Sequence, residues 1–201
     1  GLVNLERHIN NTRKFGLPVT IAVNHFITDS EKEMKTLLNF CKTQGVKASK
    51  CTHWSNGSEG TKELAKNVAT ICEDNQDTFK YLYENKLPLF KKIEKIAQEI
   101  YHSKEVVADT KVRQQLKDFE EKGYGELPVC IAKTQYSFST DPNLKGAPTG
   151  HVLPVREVRL SSGAEFIVVV CGEIMTMPGL PRVPASDNIK LNKNGEIEGL
   201  F

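Results

Sequence analysis

The chain has 201 residues, 39% apolar and 26% charged, with a formal net charge of +2. That length supports one large domain or two small ones with a real core. The charge is too weak to argue for a nucleic-acid partner, and no run of about 18 apolar residues marks a membrane-spanning helix.

The N-terminus, Gly1 to Glu6, has no basic stretch leading into an apolar one, so it does not read as a signal peptide. It lacks an initiator Met and opens directly into an amphipathic pattern, as a chain cut from something longer does. Over residues 2–14, Leu2, Leu5 and Ile9 share one helical face, and Arg7, Asn11 and Lys14 another. Gly16 stops this helix. The β-branched run from Pro18 to Asn24 predicts a buried strand of a parallel sheet covered on both faces. Ser30 stands three residues before Glu33, a capping-box signature. The helix that follows carries Met34, Leu37, Leu38 and Cys41 and ends at Gly45.

Val46 to Thr52 predicts a second strand. His53 to Gly60 reads as a polar, glycine-bearing loop that holds the single Trp. Thr61 to Glu73 repeats the helical period with Leu64, Val68 and Ile71. The alternation of helix and strand over residues 1–75 predicts an α/β fold, the end of a parallel-sheet, nucleotide-binding-type domain.

Residues 77–102 predict one or two helices, divided at Pro88 or with it in the first turn of the second. Residues 109–122 predict a charged helix. Pro128–Ala132, Val155–Leu160 and Phe166–Cys171 predict strands, with a long polar loop over 134–150. Three prolines between Met177 and Pro184 exclude regular structure there. Residues 76–201 therefore read as a smaller α+β domain.

In such sheets ligands bind beyond the C-terminal strand ends. Asn24-His25-Phe26 follows the first strand and His53-Trp54 the second. If the strands are parallel neighbours, Phe26 and Trp54 leave the same sheet edge and can clamp a flat heterocycle. The plain alternative is that both rings merely cover the sheet end. His25 and His53 can serve acid–base chemistry or simply line a loop mouth. Asn24 and Asp29 invite comparison with the base-reading Asn-Lys-x-Asp of guanine-nucleotide proteins, but no lysine follows the asparagine.

No Walker A sequence occurs. The Asn56–Thr61 stretch can bind an anion through backbone N–H groups or form an ordinary turn. Lys133-Thr134-Gln135, with Ser137 and Ser139 beyond, offers a cation and hydroxyls at a strand end. Thr176–Pro181 is a rigid loop able to form a pocket wall. The five cysteines show no CxxC spacing. They read as reduced, mostly buried thiols of a cytoplasmic protein, and no clustered ligands suggest a metal.

Several of these stretches, taken in order, are identifiable. Asn4-Leu5-Glu6-Arg7-His8-Ile9, Phe15-Gly16-Leu17-Pro18 and Val23-Asn24-x-Phe26-x-Thr28-Asp29 resemble the formate–tetrahydrofolate ligases (10-formyltetrahydrofolate synthetases). So do Trp54 with its Gly-Ser-Glu-Gly loop and Ala132-Lys133-Thr134-Gln135-Tyr136-Ser137. Met175–Pro181 and the Gly199-Leu200-Phe201 ending resemble that family's C-terminus.

The resemblance implies an ATP-dependent ligase that joins formate to tetrahydrofolate through formyl phosphate. It implies magnesium, assistance by a monovalent cation, small-molecule substrates and a homo-oligomer. It assigns Phe26 and Trp54 to the pterin and sets Thr176, Pro178, Gly179 and Leu180 by the cleft as a wall; Asn24 and Lys133 are candidate polar contacts read from the residues, and the resemblance gives His25, His53 and Lys133 no role. It names no catalytic residue in this chain. The family's phosphate-binding loop and formyl-phosphate-holding residues have no counterpart here, so the chain is expected to be a C-terminal portion, inactive alone. The alternative is a non-catalytic folate-binding or structural segment that works only with the missing part. A truncated first domain is further expected to expose apolar strand faces and self-associate.

Overall fold

A computed structural model of the chain describes residues 1–74, 78–133, 138–174 and 182–199. Helix α1 (Leu2–Lys14) follows the apolar stripe read in the sequence and buries Ile9. It ends at Gly16, whose φ of +74° suits glycine alone. The chain also crosses itself there. The Thr78 hydroxyl donates to the Gly16 carbonyl at 2.6 Å, and a Cβ at residue 16 would collide with the Thr78 carbonyl.

Strand β1 (Thr20–Asn24), helix α2 (Glu31–Thr43) and strand β2 (Lys47–Cys51) form a βαβ unit. The strands are parallel, with Thr20 opposite Lys47 and Asn24 opposite Cys51. The capping box at α2 is present. The Glu33 N–H donates to Ser30 Oγ at 3.3 Å, and the Ser30 N–H to the Glu33 carboxylate at 3.0 Å. Ile9, Cys41 and Val46 form a small core with Leu5, Val19, Ile21, Leu37 and Ala48 packed on it.

Two expectations change in this half. His53–Gly60 is not irregular. It makes one helical turn, α3 (His53–Asn56), then a 3₁₀ turn (Gly57–Thr61) that runs into helix α4 (Lys62–Asp74). Nor is β1 buried on both faces, since its residues alternate between half-buried and exposed. Among the described residues β1 pairs only with β2, and α4 buries none of its side chains. Apolar clefts flank the strand. One of about 610 Å³ is lined by Leu2, Leu5, Ile21, Val23 and Leu37, and another of about 390 Å³ by Ile9, Val19, Ile21, Val68 and Ile71.

The second half holds a mixed sheet in the order β3-β5-β6-β4. Its strands are β3 (Glu105–Ala108), β4 (Val129–Ala132), β5 (Val152–Ser161) and β6 (Phe166–Cys171). β3 is parallel to β5, β4 parallel to β6, and β5 antiparallel to β6. Helices α5 (Leu89–Glu99) and α6 (Thr110–Phe119) cover it through Leu89, Ile93, Ala97, Val112 and Leu116. Among the described residues 78–102 a single helix forms. Pro88 disfavours helix at Leu87 and caps α5 instead. Residues 79–83 spend their aromatic rings on contacts, Phe79 stacking on Phe15 and meeting Tyr81 edge-on. Strand β3 escapes the sequence reading because it is four residues long and flanked by Lys104 and Asp109. A short hairpin of β7 (Lys190–Leu191) and β8 (Ile197–Glu198) completes the described chain.

Lys92 is fully buried on α5, yet its ammonium is satisfied. It donates to the Gly125 and Leu127 carbonyls at 2.8 and 2.9 Å and lies over the Tyr83 ring. Burial lowers its pKa, while Glu126 and Glu120 oppose the shift. The lysine thereby ties α5 to the turn that feeds β4.

The polar face of α1 is not solvated. Asn4 donates to the Gly146 carbonyl, Arg7 to Ala147 and Asn11 to Ile100, at 2.9, 3.2 and 3.0 Å, and Lys14 pairs with Glu99. Arg7 and His8 both lie against the buried Phe138 ring. His151 faces Ser103 across 3.2 Å. Burial lowers the pKa of His8 and His151, and the charge of Lys133 pushes both further down, with Arg7 adding to the effect on His151; the Phe138 backbone opposes it there.

Two tests follow from this packing. Both histidines bind protons less readily when folded than when unfolded. Their stabilising contribution is complete above pH 6.5, their ordinary value, and is lost as pH falls through the lowered folded values. Melting temperature should therefore drop between pH 7 and 5. Replacing His8 and His151 by glutamine should flatten that slope in scanning fluorimetry, and an unchanged slope would remove the seam as its cause. The uncovered clefts beside β1 should make the chain self-associate at micromolar concentration. A monodisperse monomer in size-exclusion chromatography with light scattering would contradict that.

Candidate functional site

The two parallel strands end together. Beyond Asn24 and Cys51 the ladder continues for one bond, from the His25 N–H to the Cys51 carbonyl at 3.0 Å. Phe26 and Trp54 then leave the same edge, with ring centroids 6.3 Å apart and planes inclined at 56°. Both are exposed, at 53% and 70%, and Ile27 beside them is 91% exposed. Exposed apolar side chains gathered at one strand end make this a candidate contact surface.

Each ring has its own backbone support. The Phe26 N–H donates to Asp29 Oδ2 at 2.8 Å, and the Asp29 N–H returns to the Phe26 carbonyl at 3.0 Å. Trp54 rides on α3, whose Ser55 and Asn56 N–H groups donate to the Thr52 carbonyl at 3.1 and 2.9 Å. The Thr52 N–H is held by the Gly60 carbonyl at 3.1 Å, and Asn56 Nδ2 donates to Thr52 Oγ1 at 3.0 Å. Gly60 packs so tightly on Thr52 and His53 that any Cβ would clash with backbone. Gly57 has φ +56° and ψ −144°, a conformation open essentially to glycine, and ends the turn that carries Trp54. The loop glycines seen in the sequence thus shape the Trp54 support.

The remaining predicted residues are distributed differently. Asn24 is exposed and lines the apolar cleft beside Lys32, Glu33 and Thr36. His25 is half-buried and His53 exposed next to the ring pair.

Lys133 stands elsewhere, at the end of β4, over the Tyr101 ring at 5.6 Å. Its charge acts on His8, which borders Pro18–Ile21 at the opening of β1, the end opposite Phe26. Burial lowers the Lys133 pKa, and burial also raises Tyr101 and Cys171 to about 12 each. Thr176, Pro178, Gly179 and Leu180 lie outside the described residues, as do Thr134, Gln135 and Ser137.

Sequence reading missed Ile27, Thr52 and the bond from Phe26 to Asp29. Only the spacing of Asp29, three residues after Phe26, hinted at that bond. Among the described residues no group of three His, Cys, Asp or Glu side chains converges as metal ligands. No described helix is long and apolar enough to cross a membrane. All five cysteines are free thiols, three of them buried.

The whole chain, residues 1–201, matches the family model described as formate–tetrahydrofolate ligase. It is 73% identical over its full length to the formate–tetrahydrofolate ligase of Pelagibacter ubique (strain HTCC1062), covering 36% of that protein. It is 57% identical to that of Rhizobium meliloti (strain 1021) and 58% to that of Dinoroseobacter shibae, again over all 201 residues and 36% of each relative. The chain thus spans about a third of the length of the curated relatives it matches. With matching that runs unbroken from Gly1 to Phe201, the chain belongs to the formate–tetrahydrofolate ligase family.

Proposed function

We propose that this chain supplies the pterin-stacking part of an ATP-dependent ligase that joins formate to tetrahydrofolate, giving 10-formyltetrahydrofolate. The observation that carries the reading is the exposed ring pair, Phe26 and Trp54, 6.3 Å apart at adjacent ends of parallel strands. A flat heterocycle in van der Waals contact on both faces needs parallel planes about 7 Å apart. The rings are therefore close to that gap but tilted at 56°, and they turn parallel when the pterin enters. Stacking on each ring adds roughly 0.5–1.5 kcal/mol beyond burial.

In the reaction, formate displaces ADP from the γ-phosphorus of ATP to give formyl phosphate. The N10 amine of tetrahydrofolate then attacks the formyl carbon, expelling phosphate and losing a proton. The ring pair contributes positioning, holding the amine where that attack is geometrically ready. No Walker A sequence occurs in the 201 residues. Phosphate handling, ATP and Mg²⁺ are therefore assigned to the part of the relatives' length that this chain does not span, together with any monovalent cation.

Thr176, Pro178, Gly179 and Leu180 form a wall of the same cleft in this proposal, and Asn24 a polar contact. Lys133, at the far end of β1, contributes from a different surface. The chain acts in the cytoplasm, within a homo-oligomer, as units 1–75 and 76–201.

Trp54 is the only tryptophan, so its fluorescence reports on the site directly. Tetrahydrofolate added under anaerobic conditions should quench it saturably. Phe26→Leu should weaken binding about tenfold, the loss of one aromatic partner. The chain alone, given ATP, formate, Mg²⁺ and tetrahydrofolate, should make no 10-formyltetrahydrofolate. Absent quenching, or equal affinity in Phe26→Leu, would sink the stacking role, and turnover would sink the division of labour.

A further inference from the structure

We infer that Asp29 is the positioning residue that fixes Phe26 as the rigid wall of the ring pair, an inference resting on the stacking role proposed above. Beyond the last strand bond, Phe26 has two backbone polar groups to satisfy. Asp29 satisfies both. Its carboxylate accepts the Phe26 N–H at 2.8 Å, and its own N–H donates to the Phe26 carbonyl at 3.0 Å. The Phe26 backbone, and with it the base from which the ring projects, cannot shift without breaking both bonds, and the first is charge-assisted.

Asp29 is itself anchored, because the next residue, Ser30, is locked into the capping box of α2 through Glu33. A continuous path therefore runs from the first turn of α2 through Asp29 to the Phe26 backbone. Among the described residues Trp54 has no equivalent: its turn hydrogen-bonds back to Thr52 and is followed by Gly57 at positive φ. The 56° tilt is then corrected mainly at Trp54, against a Phe26 that stays in place. The carboxylate acts on the ligand only through the ring it positions. Rigid placement of one wall reduces the ordering cost of binding.

The test is tetrahydrofolate affinity, read by Trp54 fluorescence on the full 201-residue chain, with thermal melts of every variant. Asp29→Ala should weaken binding about tenfold, as expected for losing a hydrogen bond to a charged group. Asp29→Asn, whose amide oxygen can accept the same N–H, should recover most of that loss. Asp29→Glu keeps the charge but misplaces the acceptor, and should weaken binding in the same direction even if Asp29→Ala melts early.

The double variant Asp29→Ala/Phe26→Leu should bind no worse than Phe26→Leu alone, because the carboxylate works through the ring. Additive losses would overturn the inference in favour of direct ligand contact. Unchanged affinity in Asp29→Ala and Asp29→Glu, with Phe26→Leu still impaired, would overturn the inference alone and leave the ring pair standing. Unchanged affinity in Phe26→Leu would overturn both.

Discussion

In a parallel pair both strands run off the sheet at the same edge, so whatever follows them is brought together without further chain. The register that sets Asn24 beside Cys51 uses this directly. Phe26 follows two residues after Asn24 and Trp54 three after Cys51, and their rings meet. A one-residue slip would turn every side chain of the slipped strand to the other face and separate them. Ile21 and Ala48 hold the register by packing on the core of Ile9, Cys41 and Val46. The ring pair thus depends on apolar contacts about five residues back along each strand.

How the backbone is closed off beyond the strands differs on the two sides. After β1 the chain turns within four residues and enters a doubly capped helix. After β2 it makes a helical turn and a 3₁₀ turn before α4 begins, pinned at one point where Gly60 meets Thr52. The first arrangement fixes a ring through its own peptide groups, and the second fixes only the base of the turn that carries the other. In the stacking role proposed for the pair, that asymmetry lets one wall stay rigid while the other adjusts.

Much of this was legible in the residues. The periodicity of Leu2, Leu5 and Ile9, the Ser30–Glu33 spacing and the run ending at Asn24 located α1, α2 and β1, because each is a local rule. The juxtaposition of Phe26 and Trp54 was legible only conditionally, since parallel pairing is a tertiary fact. Three features escaped for related reasons. The polar face of α1 looks solvent-directed in sequence, yet it docks through Asn4, Arg7 and Asn11 onto carbonyls between 89 and 142 residues away. Residues 79–83 carry the apolar content of a helix but spend it on tertiary aromatic contacts. The hold of Asp29 on Phe26 is a pair of local bonds between a backbone and the residue three further on, and no periodic pattern encodes it.

The exposed apolar surface of the first half divides into two kinds, and backbone chemistry tells them apart. Beside β1, Ile21, Val23 and Leu37 border a strand whose other edge has no described partner. Such a surface carries open N–H and C=O groups along with its apolar side chains, and it is completed by more polypeptide. At the strand ends, Phe26 and Trp54 are more exposed than these, but the chain around them has closed on itself at Asp29, Thr52 and Gly60. The backbone groups that close those turns are already paired, so another strand has little to bond there. What such a surface can still accept is a partner that brings faces rather than peptide groups, which is the description of a flat heterocycle.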